Sequence, residues 1–138
     1  MGDFDEILRL AKQITDEAEE NAKANPTSDQ IQVVIVEPMK KPYKKTIPNH
    51  LDAMKEIVGG WIENVFIGET ETGARIGMVV NEEGKLIGLP PNRAIRNFDI
   101  LVGTFFITAY NLEGDNVSLT DKEAERFIRQ FDALEVSL

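Results

Sequence analysis

The stretch Ile31-Gln32-Val33-Val34-Ile35-Val36-Glu37 constrains the fold of this chain more than any other. It is nearly all apolar and rich in β-branched residues, and Pro38 ends it. Such a run reads as a strand buried on both faces. Tyr43 to Ile47 reads as an edge strand, because the surrounding Lys40, Lys41, Pro42, Lys44, Lys45 and Pro48 are the residue types that guard an edge against pairing.

Asn49 is the expected N-cap of a helix over 50–58, with Asp52 three residues on. That helix is expected to bury Leu51, Met54, Ile57 and Val58, and Gly59-Gly60 supplies a left-handed stop. Trp61 to Ile67 alternates as a strand, with Trp61 expected as a core anchor. After the turn Gly68 to Gly73, Ala74 to Val80 returns as its partner. Asn81 to Gly84 turns into a brief strand, Lys85 to Gly88, and Pro90-Pro91-Asn92 opens a short basic segment. Asp99 to Tyr110 then reads as one long central strand, with Gly103 marking a bulge or a close backbone approach.

The last element is the clearest. Thr120-Asp121-Lys122-Glu123 is a capping box, and Ala124, Phe127, Ile128 and Phe131 mark the apolar face of the helix it starts. At the other end, residues 3–24 read as an amphipathic helix through Phe4, Ile7, Leu8, Ala11, Ile14 and Ala18, and Pro26 stops it. The expected architecture is α+β, a mixed or antiparallel sheet of about five to six strands with two packed helices. Residues 31–138 form a single α+β domain, and residues 1–25 an N-terminal helical extension through which a homodimer could form.

Composition removes several function classes. The chain has no cysteine, so disulfides, thiolate zinc sites and cysteine nucleophiles are excluded. The acidic start Met1 to Glu6 lacks an apolar signal core, and the most apolar stretch, Ile100 to Tyr110, falls far short of the roughly 20 residues that span a bilayer. A cytoplasmic protein without a membrane segment is expected. The net charge of −9 is concentrated at the ends: residues 1–25 and 113–138 each hold seven acids and three bases. Direct nucleic-acid binding is therefore disfavoured for the molecule as a whole.

No reaction can be read from the motifs. His50 is the only histidine and sits beside a helix start, so it is expected to be structural or exposed. Glu69 and Glu71, and Glu82 and Glu83, lie in turns without calcium-loop spacing. Gly68 to Gly73 has no lysine after it and precedes a strand, unlike a phosphate loop. No catalytic residue, metal site or cofactor is assigned, and the chain is expected not to be an enzyme.

The candidate site is the segment 81–96. Lys85, Arg93 and Arg96 supply three cations there, and Asn81 and Asn92 two amides. Turn chemistry accounts for Asn81, and Asn92 suits the cap of a short helix, but the cations have no such local reason. A second candidate patch is Lys40, Lys41, Tyr43, Lys44 and Lys45, where lysines flank a stacking surface.

Several short motifs fall in order and spacing: Val34-Ile35-Val36-Glu37-Pro38, Glu56 to Glu63, Asn81 to Lys85, Gly88-Leu89-Pro90, Asn92-Arg93-Ala94, Gly103 to Ile107 and Ser118-Leu119-Thr120. In these the chain resembles the domain-of-unknown-function family numbered 3846, over about residues 31–131. The resemblance implies a small domain of bacteria, phages and conjugative elements, and brings no agreed activity, cofactor or catalytic residue. The expected function is a non-catalytic binding module that recognises an anionic small molecule or a protein partner through 81–96. The alternative is an acidic adaptor or nucleic-acid mimic acting on a host protein through helices 3–24 and 120–132.

Overall fold

The computed structural model describes residues 28–70, 73–97 and 99–138, so the helix expected over 3–24 lies outside the described residues. In chain order the elements are β1 (Gln30–Val36), β2 (Tyr43–Pro48), α1 (Leu51–Val58), β3 (Ile62–Glu69), β4 (Arg75–Asn81), β5 (Pro91–Ile95), β6 (Ile100–Val102), β7 (Phe105–Tyr110), β8 (Asn116–Val117), α2 (Asp121–Gln130) and β9 (Glu135–Val136). The main sheet is antiparallel, in the order β2-β1-β7-β4-β3, with β8 paired to β7. A smaller sheet runs β6-β5-β9, and β9 is parallel to β5. Among the described residues the fold is α+β, with a mostly antiparallel six-stranded sheet and two helices.

Strand β1 lies inside the sheet and is buried on both faces, as its composition predicts. The register makes the two faces explicit. Val34, Ile107, Met78 and Val65 stand opposite one another on successive strands, and their face packs against Ala124, Phe127 and Phe131 of the α2 segment and against Ile95, Leu101 and Val136 of the small sheet. Ile35, Phe106 and Val79 form the next rung on the other face, which packs against Met54 and Val58 of α1. Phe105 and Phe131 meet edge to face, with ring centroids 5.8 Å apart at 67°. The sheet is thus the middle layer, covered on both sides.

Local chemistry sets the helix ends. Thr120 and Glu123 form the reciprocal capping box, and Gly59 ends α1 at φ 81°. The N-cap of α1 is His50, whose ring nitrogen accepts from Ala53 N–H at 3.2 Å; Asn49, expected there, instead donates through Nδ2 to Ser28 O and Asn116 O. Leu51, expected to be buried, is exposed.

Four further expectations are corrected. Lys85 to Gly88 is part of a turn over 82–88, and Pro91 to Ile95 is a strand rather than a turn with a basic segment. The long strand over 99–110 is two strands in different sheets. Gly103 divides them at φ 72°, and a Cβ there would stand 2.6 Å from the Leu89 side chain, so the glycine serves a close approach as well as a turn. Trp61 is 60% exposed, its ring covered by Lys55 Nζ at 3.7 Å from the centroid, and so is not a core anchor.

Ile107 is fully buried at the centre of the first rung. Ile107→Ala should lower unfolding free energy by about 2–5 kcal/mol, read from the urea midpoint; a loss below about 1 kcal/mol would contradict this core assignment.

Candidate functional site

The segment 81–96 does not gather its polar side chains on one surface. Asn81 ends β4 and is buried; its Nδ2 donates to Val58 O at 3.1 Å, and its Oδ1 accepts from Glu83 N–H at 2.8 Å. It fastens the end of α1 to the 82–88 turn. Asn92 is buried in β5, where its Nδ2 donates to Val36 O at 2.9 Å and Gly103 O at 2.8 Å. It bridges the end of β1 to the break between β6 and β7, and caps no helix.

Arg93 is 2% exposed. Its Nε donates to Phe131 O at 2.8 Å, one Nη to Asn92 Oδ1 at 2.8 Å, and the other Nη to Lys40 O at 2.8 Å. The guanidinium fork therefore joins three chain segments: β5, the C-terminal end of α2 and the β1–β2 loop. A helix C-terminus is a favourable place for a cation, because its last carbonyls lack intrahelical donors. Burial lowers the pKa of Arg93 from its ordinary value, opposed by the nearby Asp132 carboxylate. No buried side-chain nitrogen or oxygen among the described residues lacks a hydrogen-bond partner.

The other two cations are exposed and paired. Lys85 Nζ contacts the Asp99 carboxylate, and Arg96 Nε lies 3.4 Å from Glu135 Oε1. The Lys85 hydrogen bond, helped by Ile100 N–H, holds Asp99 below its usual pKa. Among the five candidate residues, only Asn92 and Arg93 are joined by a hydrogen bond.

The second patch is more open. Lys40, Lys41, Tyr43, Lys44 and Lys45 are all exposed, on the loop and on the edge strand β2. Lys40 lies 3.7 Å from Glu37, and Lys44 3.6 Å from Asp121. Gln32 and Lys44 together hold the Asp121 carboxyl below its usual pKa. Burial and Glu37 raise the pKa of Tyr43. Lys41 and Lys45 make no ion pair among the described residues.

Sequence reasoning missed Met39. It is 94% exposed with φ 61°, in a turn closed by Lys40 N–H to Glu37 O at 3.3 Å. Pro38 precedes it, and a positive φ after proline is the type II pattern, in which glycine is usual. A left-handed side-chain residue costs about 1–2 kcal/mol. Arg93, bonded to Lys40 O, is the anchor next to that strained position.

Elsewhere the chemistry is sparse. No cluster of three or more His, Asp or Glu among the described residues is placed to hold a metal ion. A cleft of about 50 Å³ opens between the end of β3 and α2, lined by Ile67, Glu69, Phe127 and Leu138 among others, with room for a water or two. No helix among the described residues is long and apolar enough to cross a membrane.

Removing the Arg93 fork while keeping bulk, as in Arg93→Met, should cost on the order of 3 kcal/mol, because buried carbonyls lose their donors. Lys85→Ala and Arg96→Ala should each cost less than about 1 kcal/mol. Urea unfolding of the three variants checks this; equal losses would contradict the separation into buried anchor and surface pairs. Asp99 and Asp121 should both titrate below 3.8 by carboxyl NMR. Their depressed folded values mean that each tie is fully present above the unfolded pKa and is lost as pH falls through the folded one.

No curated protein and no solved structure matches the chain. A family profile matches residues 31–132, taking in both the Asn92–Arg93 anchor and the lysine-rich hairpin. The chain belongs to the family described as a domain of unknown function, DUF3846.

Proposed function

We propose that this protein is a non-catalytic binding module that recognises an anionic partner through the hairpin of β1 and β2, in the cytoplasm of the bacterial or mobile-element setting that its family resemblance implies. In this reading segment 81–96 acts mainly from beneath. Asn92 and Arg93 brace the hairpin, while Lys41 and Lys45, with Lys40, Lys44 and Tyr43 around them, make the contact.

One observation carries the reading. Two exposed lysines without ion-pair partners among the described residues project from the loop and strand that a buried arginine anchors at Lys40 O. Bracing matters for recognition because a surface held in place before binding loses less conformational entropy when it binds. The charge is also local. The opposite edge strand, β3, exposes Glu63 and Glu69, so an anion is favoured at one edge of the sheet and disfavoured at the other.

The adaptor reading has less support. The 120–132 segment exposes Asp121, Glu125 and Asp132 but also Lys122, Arg126 and Arg129, a balanced surface and not an acidic one. The other helix of that reading, 3–24, lies outside the described residues.

Calorimetric titration with inorganic tripolyphosphate tests the proposal. The full chain should bind it with an affinity that falls as salt rises. Lys41→Glu combined with Lys45→Glu should weaken binding by about tenfold or more, a loss of 1.4 kcal/mol, without changing the melting temperature. Lys85→Ala with Arg96→Ala should leave it unchanged. Loss in the second pair and not the first would return the site to segment 81–96.

A further inference from the structure

The edge strand β2 has a geometry that narrows the class of anionic partner. Gln32 of β1 donates its backbone N–H to Ser118 Oγ at 2.9 Å, and its carbonyl accepts from Leu119 N–H at 2.9 Å. Both main-chain groups of Gln32 therefore point away from β2, although Thr46 stands opposite it. In an antiparallel pair, residues alternate between those that exchange hydrogen bonds across the pair and those whose groups face the other way. It follows that Ile31, Val33 and Ile35 bond to Ile47, Lys45 and Tyr43. The N–H and C=O groups of Lys44 and Thr46 face the open edge, and none of them has a partner among the described residues.

The side chains along this edge complete the picture. Lys44 and Thr46 share the α2 face of the sheet with Val34, and Tyr43 and Lys45 share the α1 face with Ile35. A strand laid along the edge would meet a lysine on each of its own two faces, Lys44 on one and Lys45 on the other. Opposite charges on neighbouring strands stabilise the pairing, and apolar or basic strands gain nothing from it. Pro42 and Pro48 bound the open stretch, so the added strand would be short.

We propose that β2 takes up an extended acidic segment of a partner protein as an added strand. Main-chain hydrogen bonds form to Lys44 and Thr46, and the partner's carboxylates meet Lys44 and Lys45, with Lys41 beyond. This rests on the reading of the hairpin as the anion-recognition surface, and adds to it that the ligand has a polypeptide backbone. Lysines on an edge also repel apolar strands; the same charge admits an acidic one.

The test uses the full chain, a blocked Val-Glu-Glu-Val peptide whose adjacent carboxylates face opposite sides of an extended strand, inorganic tripolyphosphate, and a single-stranded oligonucleotide. Thr46→Pro removes an outward N–H and leaves every lysine and the ladder to β1 in place. It should weaken the peptide about tenfold while changing tripolyphosphate affinity by less than about twofold. Lys41→Ala with Lys45→Ala should weaken both. Independently of any variant, saturating peptide should slow hydrogen exchange at the Lys44 and Thr46 amides, and tripolyphosphate should not. Peptide binding that Thr46→Pro leaves unchanged, with no protection of those amides, overturns strand addition and leaves anion recognition standing. Failure of both peptide and tripolyphosphate to bind overturns the two together. Tighter binding of the oligonucleotide than of the peptide, with Lys44 and Thr46 unprotected, assigns the edge to nucleic acid and also overturns the inference.

Discussion

The guanidinium of Arg93 is the interaction on which the rest depends. It sits where β5, the end of α2 and the β1–β2 loop converge, and it supplies donors to carbonyls in the latter two. A buried charge is costly unless its hydrogen-bonding capacity is used, and here Nε and both Nη atoms have acceptors. Asn92 extends the same network to Val36 and Gly103. Two adjacent side chains thus bind the small sheet, the main sheet, the helix end and the loop into one body.

That arrangement separates buried support from exposed charge. The most basic-looking part of segment 81–96 faces inward or is paired with Asp99 and Glu135, while the lysines of the hairpin face outward. The two outer strands of the main sheet also differ in sign, lysines on β2 and glutamates on β3. A net charge of −9 hides this division, because the hairpin is a local exception to an acidic molecule. Electrostatic contrast of this kind orients an approaching anion more than it tightens the final complex. Main-chain pairing at Lys44 and Thr46 would add the affinity that exposed charge alone does not give.

Much of the fold was legible because its signals are local. The apolar run of β1, the capping box at Thr120 and the left-handed Gly59 each need only a few neighbouring residues to be understood. The strand pair β3 and β4 followed from alternation, and β2 from its lysines and prolines. What was lost depends on distant partners. Arg93 looks like a surface cation until Phe131 and Lys40 are brought beside it from 38 and 53 residues away. Gly103 signals a bulge or close approach within one strand, yet the chain changes sheets there, which no local pattern encodes. Strands β8 and β9 are two residues long and carry no periodicity to detect. The candidate patch 40–45 is legible from its lysines and Tyr43, whereas its bracing depends on contacts across the fold.

The most direct measurement is native-state hydrogen exchange in Arg93→Lys, which keeps the charge but replaces the fork with a single ammonium. The account predicts faster exchange at Lys40, whose amide closes the loop turn, and at Phe131, whose amide closes the last turn of α2. The amides joining β1 to β7 should quicken only by as much as the loss of global stability accounts for, because their ladder does not pass through Arg93. Unchanged exchange at both Lys40 and Phe131 would contradict the claim that this guanidinium holds the hairpin and the helix end together.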